Sequence, residues 1–151
     1  MKNLHIILLI SLFMFTIGCK ENEEKSAEKE IPATNESSSS PELSASIEKG
    51  KGIYTNYCAA CHLTSGKGIP NAFPPLDNSD WFREKREESI SAVKHGLKGE
   101  IEVNGKKYNS VMLDLGLSDE EVVNVMNYIM NSWSNSIEPP VNIEEVRRVK
   151  K

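Results

Sequence analysis

Cys58-Ala59-Ala60-Cys61-His62 is the stretch of this chain whose residue types and spacing point most directly to chemistry. Residues three apart share one face of a helical turn, so two thiols can reach neighbouring edges of one flat macrocycle while the next side chain brings an imidazole beneath its centre. This is the Cys-x-x-Cys-His pattern of covalent c-type haem attachment, with Cys58 and Cys61 as thioether donors and His62 as an iron ligand. A bare Cys-x-x-Cys has two rival uses. A redox pair wants a βαβ context and an acidic first thiol, and a structural zinc site wants a second pair of ligands. Neither is evident here: the third cysteine is Cys19, and the other histidines are His5 and His95.

A haem needs an apolar shell, and 151 residues provide one small domain with additional segments. The first 18 residues read as a signal peptide, with Lys2 followed by an apolar run from Leu4 to Ile17 that is too short to span a bilayer comfortably. Thr16-Ile17-Gly18-Cys19 resembles a bacterial lipobox, which makes Cys19 the expected lipidation site and leaves one cysteine for lipid and two for haem. Lys20 follows it. In lipoproteins of this kind an Asp there favours inner-membrane retention, so the outer membrane is slightly favoured. Residues 19–45 are rich in Glu, Lys, Ser and Pro, which predicts a disordered tether behind the lipid. The net charge of −4 becomes more negative when the leader, whose charged side chain is Lys2, is removed. That excludes a nucleic-acid partner and favours a docking surface that is basic or neutral.

The domain proper is expected over residues 46–136. Ile47 to Tyr57 reads as an amphipathic helix that carries Gly50, Tyr54 and Cys58 on one face. Gly66, Gly68, Pro70, Pro74 and Pro75 then make a rigid loop, without the strand and full motif of a phosphate loop. Trp81 and Phe82 precede a charged helix near Arg83 to His95, with Ile90 and Val93 inward. Trp81 is expected to pack on the haem, with a propionate hydrogen bond from its indole as the alternative. Asn104-Gly105, flanked by alternating residues, predicts a hairpin. Ser118 with Glu121 forms a capping box that opens a last helix to about Trp133, with Val122, Val125, Met126 and Ile129 inward. Residues 137–151 begin with Pro139-Pro140, end basic, and read as a surface arm. The predicted fold class is all-α, three to four helices around one covalently bound haem, with a short β-hairpin flap.

Gly50-x-x-x-Tyr54-x-x-x-Cys58-x-x-Cys61-His62 resembles the N-terminal helix and haem motif of class I, single-haem cytochromes c, and the resemblance runs from about Ile47 to Trp133. It implies the small cytochrome c fold, with Gly50 allowing the last helix to cross closely. It implies that a loop proline carbonyl accepts the His62 Nδ1–H, Pro74 first and Pro75 as the alternative. It also implies a distal methionine in the loop before the capped helix, where Tyr108-Asn109-Ser110-Val111-Met112 stands. Met126 and Met130, four apart on the helix, read as core instead. Many relatives carry Pro directly after this methionine. Here it is Leu113, which implies a less rigid ligand loop. His95, before Gly96 at a helix end, is expected to meet free carbonyls and not iron. The stretch from His95 through Met112 is similar to cytochrome domains that accompany copper nitrite reductases and haem–copper oxidases.

With both axial positions filled, iron cannot bind substrate. The expectation is therefore a membrane-anchored electron carrier facing the periplasm, not an enzyme, with one haem c ligated by His62 and Met112. Its expected partners are a terminal reductase or oxidase and a quinol-oxidising complex. Two other readings stand beside it: a haem enzyme or gas sensor with a labile distal methionine, and a haem-free lipoprotein that binds metal through Cys58, Cys61 and His62.

Overall fold

The structure, a computed structural model, describes residues 40–151. The expected signal peptide, Cys19 and the tether as far as residue 39 lie outside the described residues. Helix α1 (Pro41–Ile53) starts earlier than the apolar pattern suggests. Ser40 caps it by accepting the Leu43 N–H at 3.2 Å, and Pro41 occupies the first turn, where its missing donor costs nothing. The helix runs on through a π-helical turn (Tyr54–Cys58), in which the Ala59 N–H reaches back five residues to the Tyr54 carbonyl, and then into α2 (Ala59–His62). Widened turns of this kind are frequent at functional sites.

Helix α3 (Asp80–Glu84) and helix α4 (Arg86–His95) are two pieces where one charged helix was expected. Lys85, at φ −127° and ψ 58°, breaks the run between them. Strands β1 (Ile101–Val103) and β2 (Lys106–Tyr108) pair antiparallel through Asn104-Gly105, both at positive φ, as a two-residue hairpin turn requires. Asn104 and Asp80 exchange side-chain-to-backbone hydrogen bonds at 2.9 and 2.8 Å, which ties the hairpin tip to the start of α3. Helix α5 (Asp119–Met130) opens on the complete Ser118–Glu121 capping box. It ends three residues short of Trp133 because the side chains of Asn131 and Ser132 bond back to the carbonyls of Asn127 and Tyr128. This mostly helical array with one hairpin agrees with the fold class expected from the sequence.

The core lies between α1, α4 and α5, built from Tyr54, Phe82, Ile90, Val122, Val125 and Met126 among others. At Gly50 the backbones of α1 and α5 approach so closely that a Cβ there would fall 2.7 Å from the Tyr128 Cβ and nearer still to the Asn124 carbonyl. The expected surface arm is in fact part of this core. Val141, Val146 and Val149 are buried, and helix α6 (Ile143–Arg148) lies on the bundle. Asn127 bonds both backbone groups of Val141, Arg86 grips Glu145 with two bonds, and Lys94 donates to the Val146 carbonyl at 2.8 Å.

Substituting Gly50→Ala should destabilise the fold by about 1–3 kcal/mol, the usual cost of forcing a methyl group into a packed interface. Gly52→Ala, whose new Cβ meets nothing within 4 Å, should instead stabilise it by roughly 0.5–1 kcal/mol. Urea unfolding of the two variants checks both signs.

Candidate functional site

The widened turn and α2 present the sequence motif. Cys58 is buried, Cys61 is half-buried, and neither thiol is in a disulfide. Burial pushes the Cys58 thiol up to about 11, with the neighbouring Cys61 adding to the shift. The His62 Nδ1–H donates to the Pro74 carbonyl at 3.0 Å, and the carbonyl of Pro75 takes no part. A carbonyl can only accept, so the ring proton sits on Nδ1 and the Nε2 lone pair is free for a metal. Burial holds His62 below the ordinary imidazole range against the opposing pull of the Pro74 bond, which favours the neutral, ligand-competent ring.

Beyond His62 the chain is held by residues whose roles the sequence pattern did not show. Leu63 sits at φ 63° and ψ 158°, a conformation costly for a branched side chain. Its carbonyl accepts the buried Tyr54 hydroxyl at 2.6 Å. The Trp133 indole N–H donates to the Thr64 carbonyl at 3.0 Å, and its ring lies against Gly66, where a Cβ would collide with it. Asn135, buried, donates to the carbonyls of Leu76 and Ile129 and accepts from the Asn78 N–H. The Ser134 N–H and hydroxyl both bond Asp77. Residues 133–135 thus clamp both limbs of the loop that carries Pro74. Nothing in periodicity or composition marks them, because each acts across more than 50 residues of chain.

A cavity opens from this loop towards α4 and the hairpin. Its inner part is lined by Trp81, Phe82, Val93, Val103 and Ile129, and its outer part, about 350 Å³, by Tyr57, Cys61, Phe73, Tyr108 and Val111. Cys58, His62, Pro74 and Met112 border both parts. Met112 is the one methionine of the described residues that does so. Met126 and Met130 are buried in the helical core. Trp81 lines the inner part and has the Lys85 ammonium 4.9 Å from its ring centroid. His95 faces a separate surface cleft. The expectation that its ring meets free carbonyls is not met: Nε2 is buried with no hydrogen-bond partner. Among the described residues no three His, Cys, Asp or Glu side chains group to hold a bare metal ion.

These residues fit a covalently held haem. Two thiols and an imidazole with a free Nε2 border one apolar cavity, and a polar hook waits inside it. The Ser79 hydroxyl, buried against that cavity, has no hydrogen-bond partner in the protein, and an orphaned buried hydroxyl calls for a polar group from whatever fills the space. Ser79 carries no signal in the sequence, being a single serine between a turn and a short helix.

Fold and site together define a small haem-attachment domain. The chain belongs to the cytochrome c family, whose description "Cytochrome c" matches residues 47–133. It is 39% identical over 110 residues to cytochrome c-552 of Thermus thermophilus, covering 67% of this chain and 83% of that one. It is 27% identical over 105 residues to the cytochrome c subunit of a quinone alcohol dehydrogenase of Gluconacetobacter polyoxogenes, where it spans 22% of the relative. The cbb3-type cytochrome c oxidase subunit FixP of Bradyrhizobium diazoefficiens is 28% identical over 92 residues, 30% of its length. Its family makes it a single-haem, class I cytochrome c with covalently attached haem c, and electron transfer is the activity the family indicates.

The Asp77–Ser134 pair gives the clamp a pH dependence. Hydrogen bonds from Ser134 hold the Asp77 carboxyl below its ordinary range, so their stabilisation is present above that range and is lost as pH falls through the lowered native value. Asp77→Asn should flatten the acid limb of a stability-against-pH curve while costing under about 1 kcal/mol at neutral pH, because the pair is exposed. Thermal unfolding between pH 3 and 7 measures it.

Proposed function

We propose that this chain is a single-electron carrier whose one haem is bound through Cys58 and Cys61 and ligated by His62 and Met112. The observation that carries the reading is the cavity itself, bordered at once by the thiols, by an imidazole with its Nε2 released by Pro74, and by a single methionine. Bound there, the haem supplies a reversible one-electron couple. The protein's own residues hold it. Pro74 fixes the His62 tautomer, residues 133–135 keep the proximal loop in place, and from the cavity wall Trp81 would offer the haem a ring to pack on and Ser79 a hydroxyl to bond. With imidazole and thioether both bound, no axial position is left for a substrate, so the carrier catalyses nothing.

The carrier is exported by residues 1–18, acylated at Cys19 and tethered through the polar segment of residues 19–45. It faces the periplasm, with the outer membrane slightly favoured. The anchor is assigned to the lipid on the lipobox-like Thr16-Ile17-Gly18-Cys19, and among the described residues no helix is long and apolar enough to cross a membrane. Its partners are redox proteins: a quinol-oxidising complex as donor and a terminal reductase or oxidase as acceptor. The names of the related subunits, one from a quinone dehydrogenase and one from an oxidase, support that class.

Haem that stays with the polypeptide after acid denaturation is the expected mark of thioether attachment. Met112→Ala should lower the midpoint potential by on the order of 0.1 V, a fraction of the span that axial ligands command, and should open the ferrous iron to carbon monoxide. Spectra and potentiometry check this. Rapid, complete carbon monoxide binding by the unaltered protein at neutral pH would overturn the closed-carrier reading in favour of a haem enzyme or gas sensor.

A further inference from the structure

Met112 is held by its backbone, and by a neighbour distant in sequence. Its N–H donates to the Leu97 carbonyl at 2.9 Å and its carbonyl accepts the Leu97 N–H at 2.8 Å, a one-residue antiparallel bridge. Gly96, at φ 76°, packs directly beneath. A Cβ there would lie 2.6 Å from the Met112 carbonyl oxygen, 2.7 Å from the Asp114 nitrogen and 2.9 Å from the Leu113 carbonyl carbon. All three are backbone atoms, so no side-chain end can swing aside to make room. Upstream, the Ser110 hydroxyl donates to the Ala72 carbonyl at 2.6 Å, and downstream the Asp114 carboxylate accepts the Gly116 N–H at 2.9 Å. Between these fixed points Leu113 is 69% exposed, and among the described residues no hydrogen bond reaches its backbone. A proline at that place would stiffen the loop by closing a ring on its own φ. This chain stiffens it from outside.

We propose that Gly96 and Leu97 are the positioning residues for Met112: their backbone forms a clamp that holds the thioether over the cavity, and opening of this clamp governs how readily the sulphur yields the iron to another ligand. The proposal rests on the His62/Met112 reading above. Because both bonds of the bridge belong to one residue pair, the clamp opens as a unit. Losing a pair of backbone hydrogen bonds of ordinary net strength shifts an open–closed ratio by about tenfold or more. Leu97 also lines the cavity, so the same residue supplies a wall to the haem site and a hold on its distal loop.

The test uses the haem-loaded ferric protein and imidazole as the competing ligand. Gly96→Ala is expected to bind imidazole about tenfold more tightly and to weaken the long-wavelength absorption band of sulphur-ligated ferric haem. Gly99→Ala shares the positive φ, at 110°, but its Cβ meets nothing within 4 Å, so it should leave affinity and band at the unaltered values. An unchanged imidazole affinity in Gly96→Ala overturns the clamp. Should that variant fail to fold, hydrogen exchange on the unaltered protein decides. The Leu97 and Met112 amides should be protected together and lose protection together when imidazole displaces the sulphur, and protection that survives displacement overturns the proposal. Met112→Ala in the same titration separates the two layers. If it binds imidazole no more tightly than the unaltered protein, sulphur ligation itself is wrong and the clamp falls with it.

Discussion

The crossing of α1 and α5 at Gly50 sets where everything else in this molecule can be. With no side chain at that point, the backbone of α1 rests on Asn124 and Tyr128, and Ser46 bonds across to Asn124 and Asn127. One turn further along, this contact brings Tyr54 of the first helix against Tyr128 and Trp133, ring centroids 5.3, 5.3 and 6.0 Å apart and tilted as aromatic quadrupoles prefer. Two of these three rings end in donors that take hold of the chain just past His62. The direction in which the imidazole points is therefore decided more than ten residues away, where two helices touch without side chains between them.

The two borders of the cavity are ordered by different means. On the His62 side, side chains reach in, the Trp133 indole and the buried Asn135 amide from the far end of the chain and the Tyr54 phenol from the first helical run, each satisfying a carbonyl that the irregular loop would otherwise leave bare. On the Met112 side the residue itself is held backbone against backbone, with the Ser110 and Asp114 side chains fixing the loop to either side. The His62 loop is thus tied at several separated points, whereas Met112 itself is tied at one.

Local signals in the sequence translated faithfully into structure. Asn104-Gly105 became the hairpin turn, Ser118 and Glu121 the capping box, and the four inward positions of α5 are buried or nearly so. Each of these depends on neighbours within four residues. What stayed hidden depended on distance or on disguise. Ser40-Pro41-Glu42 is a good helix start, but it lies in a Ser-, Pro- and Glu-rich stretch that reads as tether. The basic ending that suggests a surface arm is carried by exposed Arg147 and Arg148, while Val141, Val146 and Val149 on either side of them face the core. Of the residues that border the cavity, Cys58, Cys61, His62, Pro74, Trp81 and Met112 could be named in advance. Ser79 and Leu97 could not, nor could Trp133 and Asn135, which hold its loop, since a lone serine or a backbone bridge leaves no pattern.

The burial of the C-terminal segment bears on the order in which this molecule can come into being. Val146 and Val149 complete the hydrophobic core, and the last turn of chain is pinned by Arg86, Lys94 and Asn127. Contacts so distant in sequence form late, because the loop entropy must be spent before they return anything. Until residues 141–149 pack, the core they share with Tyr54, Val122 and Met126 is unfinished. The segment that reads as an appendage is thus a late-forming structural member of the bundle that presents Cys58 and His62.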